Sequence, residues 1–149
     1  MKISTKGRYS VTALYELAQR YGEGPVSLKC VAQGQGLSEN YLEQLMVPLR
    51  RAGIVQSIRG AQGGYMLAKS PAEITIGSII TTVEGPIAVV DCLLAEAGAA
   101  EQMCDKACAC VTRGIWEKVC DSISQVLENI TLQTLLDNDD GKENIGCAR

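Results

Sequence analysis

Residues 27–67 set two helical segments, a glycine bend, two alternating strands and a second glycine bend in an order that few folds accommodate. Leu28, Val31 and Ala32 fall at helical spacing in a short segment from about Ser27 to Gln33, after which Gly34-Gln35-Gly36 forces a tight turn. Ser38 then stands as a candidate N-cap for a helix from about Glu39 to Ala52. In that helix Tyr41, Leu42, Leu45 and Leu49 point inward, Asn40, Glu43 and Gln44 point outward, and Pro48 should kink or loosen it. Two helices joined by a short glycine-containing turn form a helix-turn-helix. Ile54 to Ile58 alternates as a strand, Arg59-Gly-Ala-Gln-Gly-Gly64 turns, and Tyr65-Met-Leu67 returns, which makes a β-wing.

The rest of the chain fits around this unit. A first helix is expected from Tyr9 to Tyr21, with Ser4 or Thr5 as its cap and Val11, Leu14, Tyr15 and Ala18 on one face. A short helix from about Ile76 to Glu84 closes the domain before Gly85-Pro86. The longest periodic stretch runs from about Val111 to Asn129, where Ile115, Val119, Ser122, Ile123, Val126 and Ile130 form a near-heptad stripe with Trp116 beside it. Such a helix buries its stripe against a twofold mate or against its own subunit. Thr131 caps a last helix, Leu132 to Leu136. The expected fold is mainly α with a small β-wing: a winged helix-turn-helix DNA-binding domain (1–86), a cysteine-rich segment (87–110), a long dimerisation helix and terminal helix (111–136), and a flexible acidic tail (137–149).

The net charge of −3 argues against a nucleic-acid partner only as an average, because residues 1–70 carry nine Lys/Arg against four Glu and residues 71–149 five against thirteen acids. The basic half can therefore face double-stranded DNA. A dimer would set two recognition helices in successive major grooves and read an imperfect palindrome. Ser38, Asn40, Glu43 and Gln44 are the candidates for base edges: Asn or Gln pairs with adenine, and Glu accepts from the cytosine amine. A carboxylate facing DNA also repels wrong partners, unless Glu43 is merely solvated. Arg59 on the wing suits a narrow minor groove, whereas Lys2, Lys6, Arg8, Arg50 and Arg51 suit phosphates.

Cys92, Cys104, Cys108 and Cys110 lie within nineteen residues of a chain that has seven cysteines and no histidine. A soft metal bound there is held mainly by thiolates; buried cysteines acting as small hydrophobes are the bland alternative. The chain opens without an apolar signal region and has no run of the roughly 18 apolar residues that span a membrane, which places it in the cytoplasm, where clustered cysteines mean metal or redox chemistry more often than disulfides. Cys30 and Cys120 are expected to pack inside helices, and Cys147 to be incidental. Neither Gly-x-Gly-x-x-Gly nor a P-loop pattern occurs between a strand and a helix, and with no histidine base and no nucleophile motif an enzyme is the least favoured class.

Four segments carry a resemblance: Ser4-Thr-Lys-Gly-Arg-Tyr9, Leu37-Ser-Glu-Asn-Tyr-Leu-Glu-Gln-Leu45, Ser57-Ile-Arg-Gly-Ala-Gln-Gly-Gly-Tyr65 and Asn129-Ile-Thr-Leu132. Over residues 1–136 the sequence resembles the Rrf-type bacterial transcription regulators and, by its cysteines and the Cys110-to-Trp116 approach to the long helix, the IscR-like iron-sulfur branch. The resemblance implies a homodimer with crossing long helices and a 2Fe-2S cluster that alters DNA choice, with Glu43 where the two states differ in effect. It also implies Cys92, Cys104 and Cys110 as ligands. Arg113 occupies the position where those relatives carry a histidine ligand, so the fourth ligand is sought at Cys108, at Asp91, Glu96, Glu101 or Asp105, or in a small molecule. Gly22-Glu-Gly-Pro and Glu84-Gly-Pro-Ile also look like the cysteine-metabolism branch of the family, which lacks the cysteine set. A nitric-oxide sensor, a zinc site at Cys104, Cys108 and Cys110, and a reversible Cys104–Cys110 disulfide are the remaining alternatives.

Overall fold

The computed structural model describes residues 3–94 and 109–140. In chain order these form α1 (Thr5–Gln19), α2 (Leu28–Gln35), α3 (Glu39–Arg51), β1 (Val55–Ile58), β2 (Gly64–Leu67), α4 (Ile76–Glu84), α5 (Arg113–Glu128) and α6 (Leu132–Asp140). Short 3-10 turns at Pro71–Glu73 and Asp91–Leu93 join them. The order is that of a winged helix-turn-helix followed by a long helix.

Each early helix starts on a hydroxyl side chain. The Ser4, Ser27, Ser38 and Thr75 oxygens accept from the backbone N–H of Gly7, Cys30, Tyr41 and Ser78 respectively, satisfying donors that a helix start leaves open. Of the expected Gly34-Gln35-Gly36 turn, only Gly36 leaves the helix, in the left-handed conformation (φ 64°) that ends α2 and redirects the chain into α3. α3 continues through Pro48, with the Ala52 N–H donating to the Pro48 carbonyl at 3.0 Å. β1 and β2 pair antiparallel, Val55 opposite Leu67 and Ser57 opposite Tyr65.

The core lies where α1, α3, α4 and the wing meet. Leu14, Leu42, Leu45, Met46, Leu49 and Ile79 are fully enclosed there, each such side chain adding about 1.5–3 kcal/mol on burial. Met46 was not anticipated, while Tyr41 is only half-buried and stands edge-on to Tyr9, with ring centres 6.3 Å apart. Leu132 at the start of α6 is also enclosed, and α6 folds back against α1.

α1 begins at Thr5, four residues before the expected start, with Gly7 inside it. A Cβ on Gly7 would collide with the Glu84 carboxylate, which accepts from Ser4 N at 3.0 Å and Ser4 Oγ at 2.8 Å. The C-terminus of α4 thus anchors the N-terminus of α1. Glu84→Ala is expected to cost about 1 kcal/mol in urea unfolding and to fray the Lys6–Arg8 turn first, read as lost amide protection at residues 7 and 8.

α6 runs to Asp140, so residues 137–140 belong to a helix and not to the expected tail. The expected single stripe on the long helix splits into two. Cys120 and Leu127 turn toward the chain's own domain, Ile123 is half-buried, and Ile130 lies beyond the helix end, where its carbonyl accepts from Ile76 N at 2.8 Å. Ile115, Val119 and Val126 remain exposed on a second face, and Trp116, one turn before Cys120, is exposed as well. Among the described residues no helix is long and apolar enough to cross a membrane.

Candidate functional site

The side chains expected to reach bases are all exposed. Asn40, Glu43 and Gln44 are exposed on α3, and Ser38 is exposed at its start, where its oxygen already caps Tyr41 N at 3.2 Å. Arg59 is exposed directly after β1, and Lys6, Arg8 and Arg51 are exposed on α1 and α3. Lys2 lies outside the described residues.

Two of these side chains are tied to the wing. The Tyr65 hydroxyl donates to Glu43 Oε1 at 2.7 Å, so Glu43 is neither a freely solvated carboxylate nor a freely rotating one. Arg50 Nη1 donates to Ser57 Oγ at 3.3 Å, joining the end of α3 to the residue that pairs with Tyr65 across the ladder. Burial first, and then the Glu43 carboxylate, push the Tyr65 hydroxyl up to about 12. Neither tie carries a sequence signal, because the partners are 22 and 7 residues apart and belong to different elements.

The cysteine segment is described only at its edges. Cys92 sits in the 3-10 turn at Asp91–Leu93 and Cys110 just before α5, both half-buried and both free thiols. Cys104 and Cys108, with the candidate carboxylates Glu96, Glu101 and Asp105, lie outside the described residues; Asp91 is exposed. Among the described residues no group of three or more metal-ligating side chains converges. The Cys110 thiol is held below its ordinary value, chiefly by the Thr112 hydroxyl 3.3 Å away and then by the Thr112 and Arg113 backbone. A thiol biased toward thiolate is suited to ligate soft metals. Arg113, at the position of the expected histidine, pairs instead with Glu117 at 2.9 Å.

Cys120 packs as expected, buried and accepting from Val89 N at 3.4 Å. Cys30 does not. It is exposed, and its sulfur accepts from Arg20 Nη1 at 3.1 Å.

The Rrf2 family model, described as an iron-dependent transcriptional regulator, matches residues 3–138. The chain belongs to the Rrf2 family. This Rrf2 protein is 48% identical over 143 residues to the HTH-type transcriptional regulator CymR of Bacillus subtilis, covering 96% of this chain and 95% of the relative. It is 39% identical over 140 residues to the HTH-type transcriptional regulator IscR of Serratia proteamaculans, covering 94% and 82%. Among solved structures it superposes on T. potens IscR with a TM-score of 0.75 at 46% identity, covering 98% of this chain and 94% of the other. On CymR, described as the global cysteine regulator of B. subtilis, the TM-score is 0.73 at 47% identity, covering 93% and 98%. These relatives are transcription regulators and not enzymes.

Proposed function

We propose that this Rrf2 regulator is a cytoplasmic homodimer that reads an imperfect palindromic operator and senses iron-sulfur status through a 2Fe-2S cluster, controlling cluster-biogenesis genes. Ser38, Asn40, Glu43, Gln44 and Arg59 read the DNA, while Lys6, Arg8, Arg50 and Arg51 contact phosphates. Cys92, Cys104 and Cys110 are the ligands, with Cys108 the leading candidate for the place that Arg113 cannot fill. The observation that carries this reading is the donor set: clustered thiols in a chain without histidine, with Cys110 biased toward thiolate at the entrance to α5. That set fits a soft iron-sulfur group.

A bound cluster supplies a state that depends on iron, sulfide and oxidant. The chain's own residues carry its consequence. Cys92 follows α4 and Cys110 precedes α5, so drawing the two together changes how α5 sits on the winged domain. Thr75 Oγ1, donating to Glu128 Oε2 at 2.7 Å, ties the far end of α5 to the start of α4. Coupling between the cysteine segment and the DNA face is equal in both directions: whatever cluster loading adds to operator affinity, operator binding adds to cluster retention.

The likeness to CymR supports a second reading, regulation of cysteine metabolism with no cluster. The visible spectrum and the iron and sulfide content of anaerobically purified protein separate the two. The cluster reading expects a coloured protein with matched iron and sulfide, bleached by Cys92→Ala, Cys104→Ala or Cys110→Ala. Loss of colour in Cys108→Ala as well identifies the fourth ligand. A colourless, iron-free protein overturns the cluster and leaves the cysteine-metabolism reading.

A further inference from the structure

The tie between the wing and the recognition helix has a consequence for base reading. Tyr65 is fixed from both sides: it faces Ser57 in the β-ladder, and it exchanges two 2.8 Å backbone hydrogen bonds with Val26. Tyr65 as a whole is 5% exposed, so the hydroxyl has little freedom to move. That hydroxyl donates to Glu43 Oε1 at 2.7 Å, while Oε2 has no hydrogen bond among the described residues. Glu43 itself is exposed on α3, three residues after Asn40 and one before Gln44.

We infer that Tyr65 is a positioning residue for sequence reading: by holding Oε1 it turns Glu43 into a fixed acceptor that presents Oε2 to one base in each half-site. The chemistry selected is a major-groove amino group, cytosine N4 first and adenine N6 second. Guanine and thymine present acceptor oxygens at the corresponding edge, and a carboxylate that cannot swing aside repels them. A mobile glutamate would rotate toward water in front of a wrong base and forgive it. With its hydroxyl pushed well above the neutral range, Tyr65 stays protonated, and so remains a donor, wherever DNA binding is measured. The inference rests on α3 being the recognition helix, and all variants are compared in one and the same cluster state.

The test uses the full-length protein. Duplexes enriched from a random pool by the wild type are varied through all four bases at each half-site position, at one fixed salt concentration. Binding is measured for wild type, Tyr65→Phe, Glu43→Ala and the double variant, with thermal melting as a check on folding. The wild type is expected to favour an amino-bearing base about tenfold at one position per half-site. Tyr65→Phe is expected to lose most of that preference while binding to unrelated duplex stays within about twofold, because phosphate contacts are untouched. In the Glu43→Ala background, Tyr65→Phe is expected to change nothing further. An unchanged preference in Tyr65→Phe, or an equal loss on every duplex, overturns the positioning role. No sequence enrichment by the wild type overturns the recognition-helix reading beneath it.

Discussion

Ile115→Glu combined with Val119→Glu is expected to give a folded monomer whose operator affinity has fallen on the order of a hundredfold or more. Ile115 and Val119 are one turn apart on α5, and Val126 continues their line two turns on; at 56%, 37% and 59% exposure they face away from the chain's own core. The neighbouring face already has its partners, since Cys120 receives Val89 N and Leu127 packs against the subunit's own core. An apolar stripe left over after the subunit has folded is what a twofold mate buries. Two glutamates facing their symmetry copies would meet like charge in a desolvated seam, and the subunits part. Each monomer keeps its recognition helix, so what disappears is the simultaneous grip on two half-sites. The protein's one tryptophan, Trp116, is 39% exposed beside this stripe, so its emission should shift to the red as the seam opens. Sedimentation showing an intact dimer, or a monomer with undiminished operator affinity, would sink the assignment.

The distinction between the two faces of α5 shows what the sequence could convey. A helix over about residues 111–129 was legible from its periodicity and is found as Arg113–Glu128, but Ile115 and Leu127 are both plain aliphatics, and only the packing of α5 on the rest of the subunit covers one and leaves the other exposed. The elements with local causes were legible in detail: the Ser38 cap, the limits Ile76–Glu84, and the glycine turn of the wing. Contacts between distant residues were not. The expected start of the first helix at Tyr9 missed Gly7, whose place in α1 is explained only by Glu84, 77 residues away, which fills the space a side chain would take. Glu43 was legible as an outward residue of the recognition helix, whereas its hold by Tyr65 depends on how the wing folds against α3. The same holds for Cys30, whose helical position suggested burial but which is exposed, with its sulfur against the Arg20 guanidinium at the end of α1.

Gly64→Ala is expected to lower stability by about 3 kcal/mol, where the same change inside a strand ordinarily gains about 0.5–1 kcal/mol. A Cβ at position 64 would fall on the carbonyl oxygen of Val26, inside contact distance, and backbone cannot swing away as a side chain can. The Val26 segment must therefore retreat, which breaks the two 2.8 Å hydrogen bonds that pair Val26 with Tyr65, at about 1 kcal/mol each, with the overpacking strain added. Amide exchange locates the damage: protection at Val26 and Tyr65 should fall together, while Leu42 and Leu45 in α3 keep theirs. The functional loss should then resemble Tyr65→Phe in its direction but exceed it, because the wing that carries both Tyr65 and Arg59 loses its fixed seat on the domain. Tyr65→Phe keeps the ring and both backbone bonds, so its stability should stay within about 1 kcal/mol of wild type. If Gly64→Ala unfolds at the wild-type urea midpoint, the close approach of β2 to Val26 is not what holds the wing. If it destabilises the chain without relaxing base preference, the wing contributes to the fold but not to the orientation of Glu43.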